Sequence, residues 1–432
     1  MHKIPFLEGL NEAQCEAVMH GKGPALVVAG PGSGKTTVII RRLLYLVYER
    51  KVPAEKILVI TYTKEAALSM QEKFYEQQKQ FISNTSQNQG YISFGTFHSY
   101  FYQIIKSIKE YSEYQLITPQ EKQKLATRIL REKYEEISDF TVKRFLEQVS
   151  FYKNTGQQKD EEDISELIQR YQTELRHYKR MDFDDMLFLC KKEFLKDEKL
   201  LHKCKERYEY VLIDEYQDIN PIQYELIHLL THEKQNLFVV GDDDQAIYGF
   251  RGSDGECFQK FLSDYKEIKT IYLNINYRCV SNIVKASKVL ISKNQKRIKK
   301  DIVSGVNTNA DGRIDLVESV NTQEMYKKLA DEFSDMVPLS LKEEAVLFRT
   351  NAVLQSFANY LAGKRIPFII REKIQSYYEH FIASDIMDYY MAANGCRDRA
   401  LYLRVFQKEN FVKNILSYPK YFFKHFLQIN LF

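Results

Sequence analysis

Eight consecutive residues, Ala29-Gly-Pro-Gly-Ser-Gly-Lys-Thr36, combine three glycines with a lysine and a hydroxyl. Gly30, Gly32 and Gly34 let the backbone curl until its N–H groups point at phosphate oxygens. Lys35 adds a point charge for β- and γ-phosphates, and the Thr36 hydroxyl adds a ligand for Mg²⁺. Ala25–Ala29 (ALVVA) reads as a buried strand, and a helix is predicted over Thr36–Tyr48. That strand-to-helix setting is the one a Walker A loop requires, with the helix N-terminus assisting the anion. Ala29 stands where the first glycine is usual. Pro31 and Ser33 complete the loop, and the whole run is the predicted ATP cradle.

The second constellation is Val211-Leu-Ile-Asp-Glu215, an apolar run ending in two carboxylates. At the end of a strand, Asp214 can hold the Mg²⁺ coordination sphere and Glu215 can take a proton from attacking water. Taken alone, an acidic pair after a strand is equally a solvated loop. The phosphate loop upstream makes the metal and base reading the more specific one.

The elements that must position these groups alternate along the chain. Further strands are predicted at Ile57–Thr61, Tyr210–Ile213, Leu237–Val240 and Thr270–Leu273, with a helix over Lys64–Gln80. Strand–helix alternation specifies an α/β fold with a parallel sheet. From about Tyr102 to Arg180 strand-like runs vanish, and helical spacing such as Ile164–Tyr178 takes over, which reads as a helical insertion. Beyond Val280 a helical stretch leads to strands expected at Ile314–Val317 and Ala345–Phe348.

The chain of 432 residues is too long for one core, so two or three units are expected. Its 44% hydrophobic and 28% charged residues suit an ordinary globular protein, and a net charge of +4 decides nothing about partners. The six cysteines, at positions 15, 190, 204, 257, 279 and 396, have no CxxC spacing and no nearby histidine cluster. Neither a zinc site nor a disulfide framework is expected, and reduced thiols in a cytoplasmic protein are. No apolar leader and no run of about 18 uncharged apolar residues occurs, so no membrane association is expected.

Further motifs surround the two phosphate motifs in a fixed order. Leu10-Asn-Glu-Ala-Gln14, Thr61-Tyr-Thr-Lys-Glu-Ala-Ala67, Gly95-Thr-Phe-His-Ser99 and Asp182-Phe-Asp-Asp-Met-Leu187 precede Asp214-Glu-Tyr-Gln-Asp218. Gly241-Asp-Asp-Asp-Gln-Ala-Ile-Tyr-Gly-Phe-Arg-Gly252 and Asn276-Tyr-Arg278 follow it. This set resembles the UvrD/Rep-type superfamily 1 helicases, densely over residues 8–285 and thinly over 286–390. The resemblance implies a RecA-like motor domain over 1–98 and 181–280, a helical insertion over 99–180, and a partial second RecA-like domain over 281–432. By the same resemblance, Gln14 reads the adenine edge and Tyr277 stacks on its ring. Gln245 senses the γ-phosphate, and Arg278 is an arginine finger on it. Tyr62, Phe97, His98, Tyr248 and Phe250 would stack on or abut bases of single-stranded DNA, with Thr63, Ser99 and Arg251 serving sugar and phosphate. Taken singly, each aromatic is more readily a core residue than a platform, and Arg278 more readily a surface ion pair; the register of motifs reverses the latter. Phe250 stands where many relatives carry Trp. Asp182–Asp185 reads as a helix cap or a partner for Lys and Arg in the sheet and is assigned no catalysis.

The implied activity is ATP-dependent 3′-to-5′ movement on single-stranded DNA with opening of junctions in replication or repair. This sequence departs from the family at Thr37, often arginine, and in lacking the second domain's motifs V and VI. Ala345–Asn351, Ile366–Ile370 and Ser384–Asp388 resemble only the opening of that domain. The aromatic tail Tyr418–Phe432 matches nothing expected and reads as the end of a truncated frame or as a docked segment. The alternative is therefore a nucleotide-gated DNA-binding fragment, or one half of a motor completed by a second polypeptide. A phosphotransferase or GTPase would explain neither Gly95–Ser99 nor Gln245–Arg251.

Overall fold

The computed structural model of the chain describes residues 4–81, 90–135, 137–157, 164–246, 256–295, 297–306, 312–334, 343–371, 381–396, 398 and 401. The chain divides into two compact units, Met1–Ile314 and Asp315–Phe432.

In the first unit the strands are β1 (Ala25–Ala29), β2 (Ile57–Thr61), β3 (Ser93–Thr96), β4 (Gln115–Leu116) and β5 (Arg180–Met181). They continue with β6 (Tyr210–Ile213), β7 (Leu237–Gly241), β8 (Lys269–Leu273), β9 (Ile275–Asn276) and β10 (Val303–Ser304). Six of them form one parallel sheet in the order β3-β2-β6-β7-β1-β8. Every residue of β1, β2, β6 and β7 is buried, as a parallel sheet covered on both faces demands. Alternate side chains feed two cores. Leu26, Val28, Leu58, Ile60 and Ile213 face one, under helices Phe97–Ser107, Phe183–Lys196 and Pro221–Thr231. Val27, Val59, Leu212 and Val240 face the other, under helices Glu12–Met19, Lys35–Leu44 and Lys64–Phe81.

All five strands expected for this sheet are present, two of them one residue longer than anticipated. The edge strand β3 was not foreseen, because Ser-Phe-Gly-Thr is short and only half-buried. The helix after the phosphate loop runs Lys35–Leu44 and then widens into a π-turn over Tyr45–Glu49. Within it, buried Arg42 donates from Nη1 to the carbonyls of Val18 (3.3 Å) and His20 (2.5 Å), fixing the helix Glu12–Met19 beside the loop.

Helices Pro119–Leu130, Asp139–Thr155 and Ser165–His177 enclose their own core of Ala126, Ile129, Val149, Ile168 and Tyr171. The helix Phe97–Ser107, which the expected boundary at 99 would divide, packs under the main sheet. Residues 281–314, expected to open the second domain, belong to the first compact unit. In the second unit, helices Thr322–Ser334 and Asn351–Gly363 share a small core of Tyr326, Ala330, Phe357 and Leu361. The strands expected at Ile314–Val317 and Ala345–Phe348 do not form. An apolar run becomes a strand only where a neighbour completes its ladder, and among the described residues neither run has one. Leu316 and Leu347 are about nine-tenths exposed (89% and 92%). Ser384–Asp388 lies within the helix Phe381–Ala393, and Tyr418–Phe432 lies outside the described residues. All six cysteines are free.

The insertion is joined to the sheet domain by buried charge. Lys153, its side chain wholly buried, sits 2.9 Å from Asp182 Oδ2 and 2.7 Å from Asp185 Oδ1. Asp182 caps the helix Phe183–Lys196 in a reciprocal box with Asp185, so the acidic run is a cap and a lysine partner. Asn154 Nδ2 donates to Asp184 Oδ1 (2.9 Å) and Asn220 Nδ2 to Asn154 Oδ1 (2.8 Å), extending the junction. Burial alone would raise Asp182, but Lys153 and Lys122 outweigh it and hold its carboxyl low; burial raises Asp185 to about 6. Lys153→Met strands both carboxylates, and unfolding by urea should show a loss of about 3–5 kcal/mol at pH 8. Those carboxyls then have folded pKa values above their unfolded ones, so stability falls as pH rises through that interval. The deficit should accordingly be smaller at pH 5 than at pH 8.

Candidate functional site

The phosphate loop leaves β1 at Ala29, whose methyl group stays in the core and sets only the spacing. Gly32 and Gly34 take φ of +65° and +85°, the left-handed region that a side chain would strain. Gly34 is the N-cap of Lys35–Leu44 and supplies no side-chain cap, so the first-turn N–H groups face the loop's concavity. Ser33 is buried with its hydroxyl donating to Gly30 O (2.7 Å), while Pro31 is exposed at the rim. Gln14 closes one side. Its backbone N–H and side-chain oxygen form a capping box with Asn11, and its Nε2 donates to Ser33 O (3.0 Å).

Beside the loop, β6 ends in Asp214, which is buried. Burial and the neighbouring Glu215 charge raise its pKa to about 6, although Lys35 pulls the other way. Among the described residues no cation forms an ion pair with Asp214, and it shares a cleft of about 370 Å³ with Thr36, Tyr62, Glu215 and Gln245. A buried carboxyl without a cationic partner, in one cleft with a threonine, suits a hard divalent ion such as Mg²⁺. Glu215 has φ +49° and ψ +48°, a left-handed conformation costing a non-glycine residue about 1–3 kcal/mol. That conformation puts its Oε2 3.1 Å from Lys35 Nζ.

From Glu215 a line of hydrogen bonds crosses the sheet edge. Gln217 Nε2 donates to Glu215 Oε2 (2.7 Å), and Gln217 Oε1 accepts from Asp242 N (2.9 Å). Gln245 Nε2 donates to Asp242 Oδ2 (2.6 Å). Lys35, Glu215 and Gln245 are thus linked through two residues, Gln217 and Asp242, that sequence reasoning passed over. Gln217 lies inside a recognised motif, but nothing local in the sequence announces its pairing with residue 242.

The last wall comes from the turn after β9. Asn276 Oδ1 accepts from Arg278 N and Cys279 N, both 2.8 Å, and Tyr277 N donates to Gly32 O (2.9 Å). A side chain at Gly32 would put its first carbon 2.7 Å from Arg278 Cβ, so the arginine lies against the phosphate loop. Tyr277 remains about half exposed (47%), and its hydroxyl accepts from Asn11 Nδ2 (2.8 Å), beside Gln14.

The nucleic-acid candidates divide. Tyr62 follows β2 into the same cleft. Thr63 Oγ1 accepts from Ala66 N (3.1 Å), and Ser99 forms a capping box with Thr96 while staying exposed. His98 stacks obliquely on Phe183, ring centroids 5.6 Å apart. Phe183, which sequence reasoning did not single out, is 61% exposed despite its size. Phe97 is corrected: its ring lies in the core beneath the sheet, 3% exposed, where no base can reach it. Tyr248, Phe250 and Arg251 lie outside the described residues.

Comparisons with known proteins identify the family. Residues 10–266 match the UvrD/REP helicase N-terminal domain, and residues 271–415 match the UvrD-like helicase C-terminal domain. The putative ATP-dependent DNA helicase YjcD of Bacillus subtilis is 33% identical over 408 residues, covering 90% of this chain and 52% of that protein. The ATP-dependent DNA helicase PcrA of Staphylococcus epidermidis is 30% identical over 400 residues, covering 89% and 54%. PcrA of Leuconostoc citreum is 29% identical over 417 residues, covering 92% and 54%. The chain spans about half the length of the curated relatives it matches. No described helix is long and apolar enough to cross a membrane. A phosphate loop walled by Gln14, Glu215 and Arg278, with a family match over more than half its length, places the chain in the UvrD/REP helicase family.

Proposed function

We propose that this chain is the ATP-driven motor portion of a DNA helicase that moves 3′ to 5′ on single-stranded DNA and opens junctions during replication or repair. The observation that carries the reading is the close packing of the Asn276–Arg278 turn on Gly32, which holds an arginine from beyond β8, the strand beside β1, at the phosphate loop. The motor domain is drawn from residues 1–98 and 181–280 and the insertion from 99–180, with residues 281–314 in the same compact unit ahead of the second domain.

In this reading Gln14 and Tyr277 take the adenine, and residues 30–36 take the phosphates. Lys35 exchanges its Glu215 partner for the β- and γ-phosphates, which frees Glu215 to accept a proton from water. Arg278 and Gln245 meet the γ-phosphate. Thr36 and Asp214 would hold Mg²⁺, which supplies charge neutralisation at the phosphate oxygens. Tyr62, Thr63, His98 and Ser99 contact the DNA strand, with Phe183 as an additional stacking surface. Tyr248, Phe250 and Arg251 extend that track.

Steady-state ATP hydrolysis with and without a single-stranded oligonucleotide tests the proposal. Turnover stimulated by DNA is expected, with Glu215→Gln lowering kcat about 10²–10⁴-fold while nucleotide still binds. Lys35→Ala should abolish phosphate-dependent binding without loss of the fold. Binding without turnover in the unsubstituted chain would contradict a self-sufficient motor.

The raised pKa of Asp214 gives a second expectation. Its carboxylate is the charged form above about 6 and becomes protonated below it. Proton and metal compete, so Mg²⁺-dependent nucleotide affinity should fall about tenfold for each pH unit below that value. Titration of a fluorescent nucleotide at pH 5 to 8 reads this directly. A flat profile would remove Asp214 from the metal site.

A further inference from the structure

Residues 297–306 touch three parts of the site: the phosphate loop, the turn after β9 and the turn after β7. Val303 N donates to Asn274 O (2.9 Å) and Gly305 N to Asn276 O (2.8 Å), which makes β10 the partner of β9. Ser304 Oγ donates to Cys279 O (2.7 Å), bracing the turn that carries Tyr277 and Arg278. Ile302 lies over the phosphate loop so closely that a side chain at Gly30 would come within 2.5 Å of its Cδ1.

The other end of this strap holds the acidic turn after β7. Asp242, Asp243 and Asp244 bring their carboxylates within 4.8 Å of one another. Lys300, its side chain fully buried, pairs with all three, reaching Asp244 Oδ2 at 3.0 Å. Arg297 grips Asp244 with two nitrogens, Nε at 2.7 Å from Oδ1, and Ile298 N donates to Asp243 Oδ2 (2.6 Å). The triplet is therefore filled by an ammonium and a guanidinium. Three clustered carboxylates would otherwise repel, and a buried lysine among them fixes the turn's geometry as well as its charge. Asp242 is also the residue that holds Gln245 and, through Gln217, Glu215.

We infer that the strap 297–306 couples the phosphate loop to the Asp242–Gln245 turn, with Lys300 as its positioning residue. The inference rests on the nucleotide and DNA roles proposed above. Ile302 rides on Gly30, so an anion that reshapes the loop displaces the strap. Lys300 passes that displacement to the turn, and the turn leads directly into the Tyr248–Arg251 segment proposed to meet DNA. Nucleotide and DNA affinities are thereby linked, and the link is reciprocal.

Fluorescence anisotropy of a labelled single-stranded oligonucleotide, with and without a non-hydrolysable ATP analogue and Mg²⁺, measures the link as a ratio of two Kd values. In the unsubstituted chain the ratio should depart from one by about fivefold or more, the lower range of coupling between distinct sites. Lys300→Met should collapse it to within about twofold of one while the Kd for the analogue changes less than about threefold, and Lys300→Arg should restore most of it. Ile302→Ala leaves every ion pair in place and should weaken the ratio in the same direction, so it decides the matter if Lys300→Met does not fold. An unchanged ratio in Ile302→Ala, or in a folded Lys300→Met, would overturn the inference, as would Lys300→Arg behaving like Lys300→Met. An unsubstituted chain that binds both ligands without linkage would overturn this inference alone. One that binds no nucleotide would overturn the proposed function with it.

Discussion

The ion pair between Lys35 and Glu215 is the contact on which the site's organisation turns. It joins the loop after β1 to the loop after β6, two strands that are not neighbours, and it occurs because Glu215 accepts a left-handed backbone. Without that conformation the carboxylate would point elsewhere, and the polar line through Gln217 to Asp242 would lose its first member. A strained residue is tolerated at this point because β6 is buried on both faces and leaves the chain no freedom to relax.

The sheet explains why the remaining groups arrive where they do. In an open parallel sheet the loops at the carboxyl ends of the strands converge on one edge. The phosphate loop, Asp214, Gln245 and the Tyr277–Arg278 turn all occupy that edge, after β1, β6, β7 and β9. Glycine at position 32 is required twice over, by its positive φ and by the approach of Arg278. The second requirement is tertiary, since the arginine comes from the far end of the unit's sequence. Fold and chemistry are in this sense one constraint: the loop closes properly only when the last wall is present.

How much of this was legible in the sequence follows from the range of each interaction. β1, β2, β6 and β7 are readable because each is a run of apolar residues that a parallel sheet buries completely, and β8 because Ile271 and Leu273 alternate into the core. β3 is not, since an edge strand half-exposed and only four residues long has no such run. Ile314–Val317 and Ala345–Phe348 carry the right residues for strands, yet strand formation depends on a partner that composition does not report. Lys35, Asp214 and Glu215 announced themselves by local spacing. Gln217, Asp242, Lys300 and Arg297 did not, because their roles lie in pairings across dozens of residues. Phe97 departs from expectation for a related reason: an aromatic beside a polar motif has the same sequence appearance whether it faces a ligand or the core.

The proposed nucleotide site draws on four separated segments. Amide hydrogen exchange with and without Mg²⁺ and a non-hydrolysable ATP analogue tests it most directly. Ligand should slow exchange together in residues 30–37, 214–217, 241–245 and 275–279. Protection confined to 30–37 would contradict it, leaving a phosphate loop that acts without the walls assigned to it.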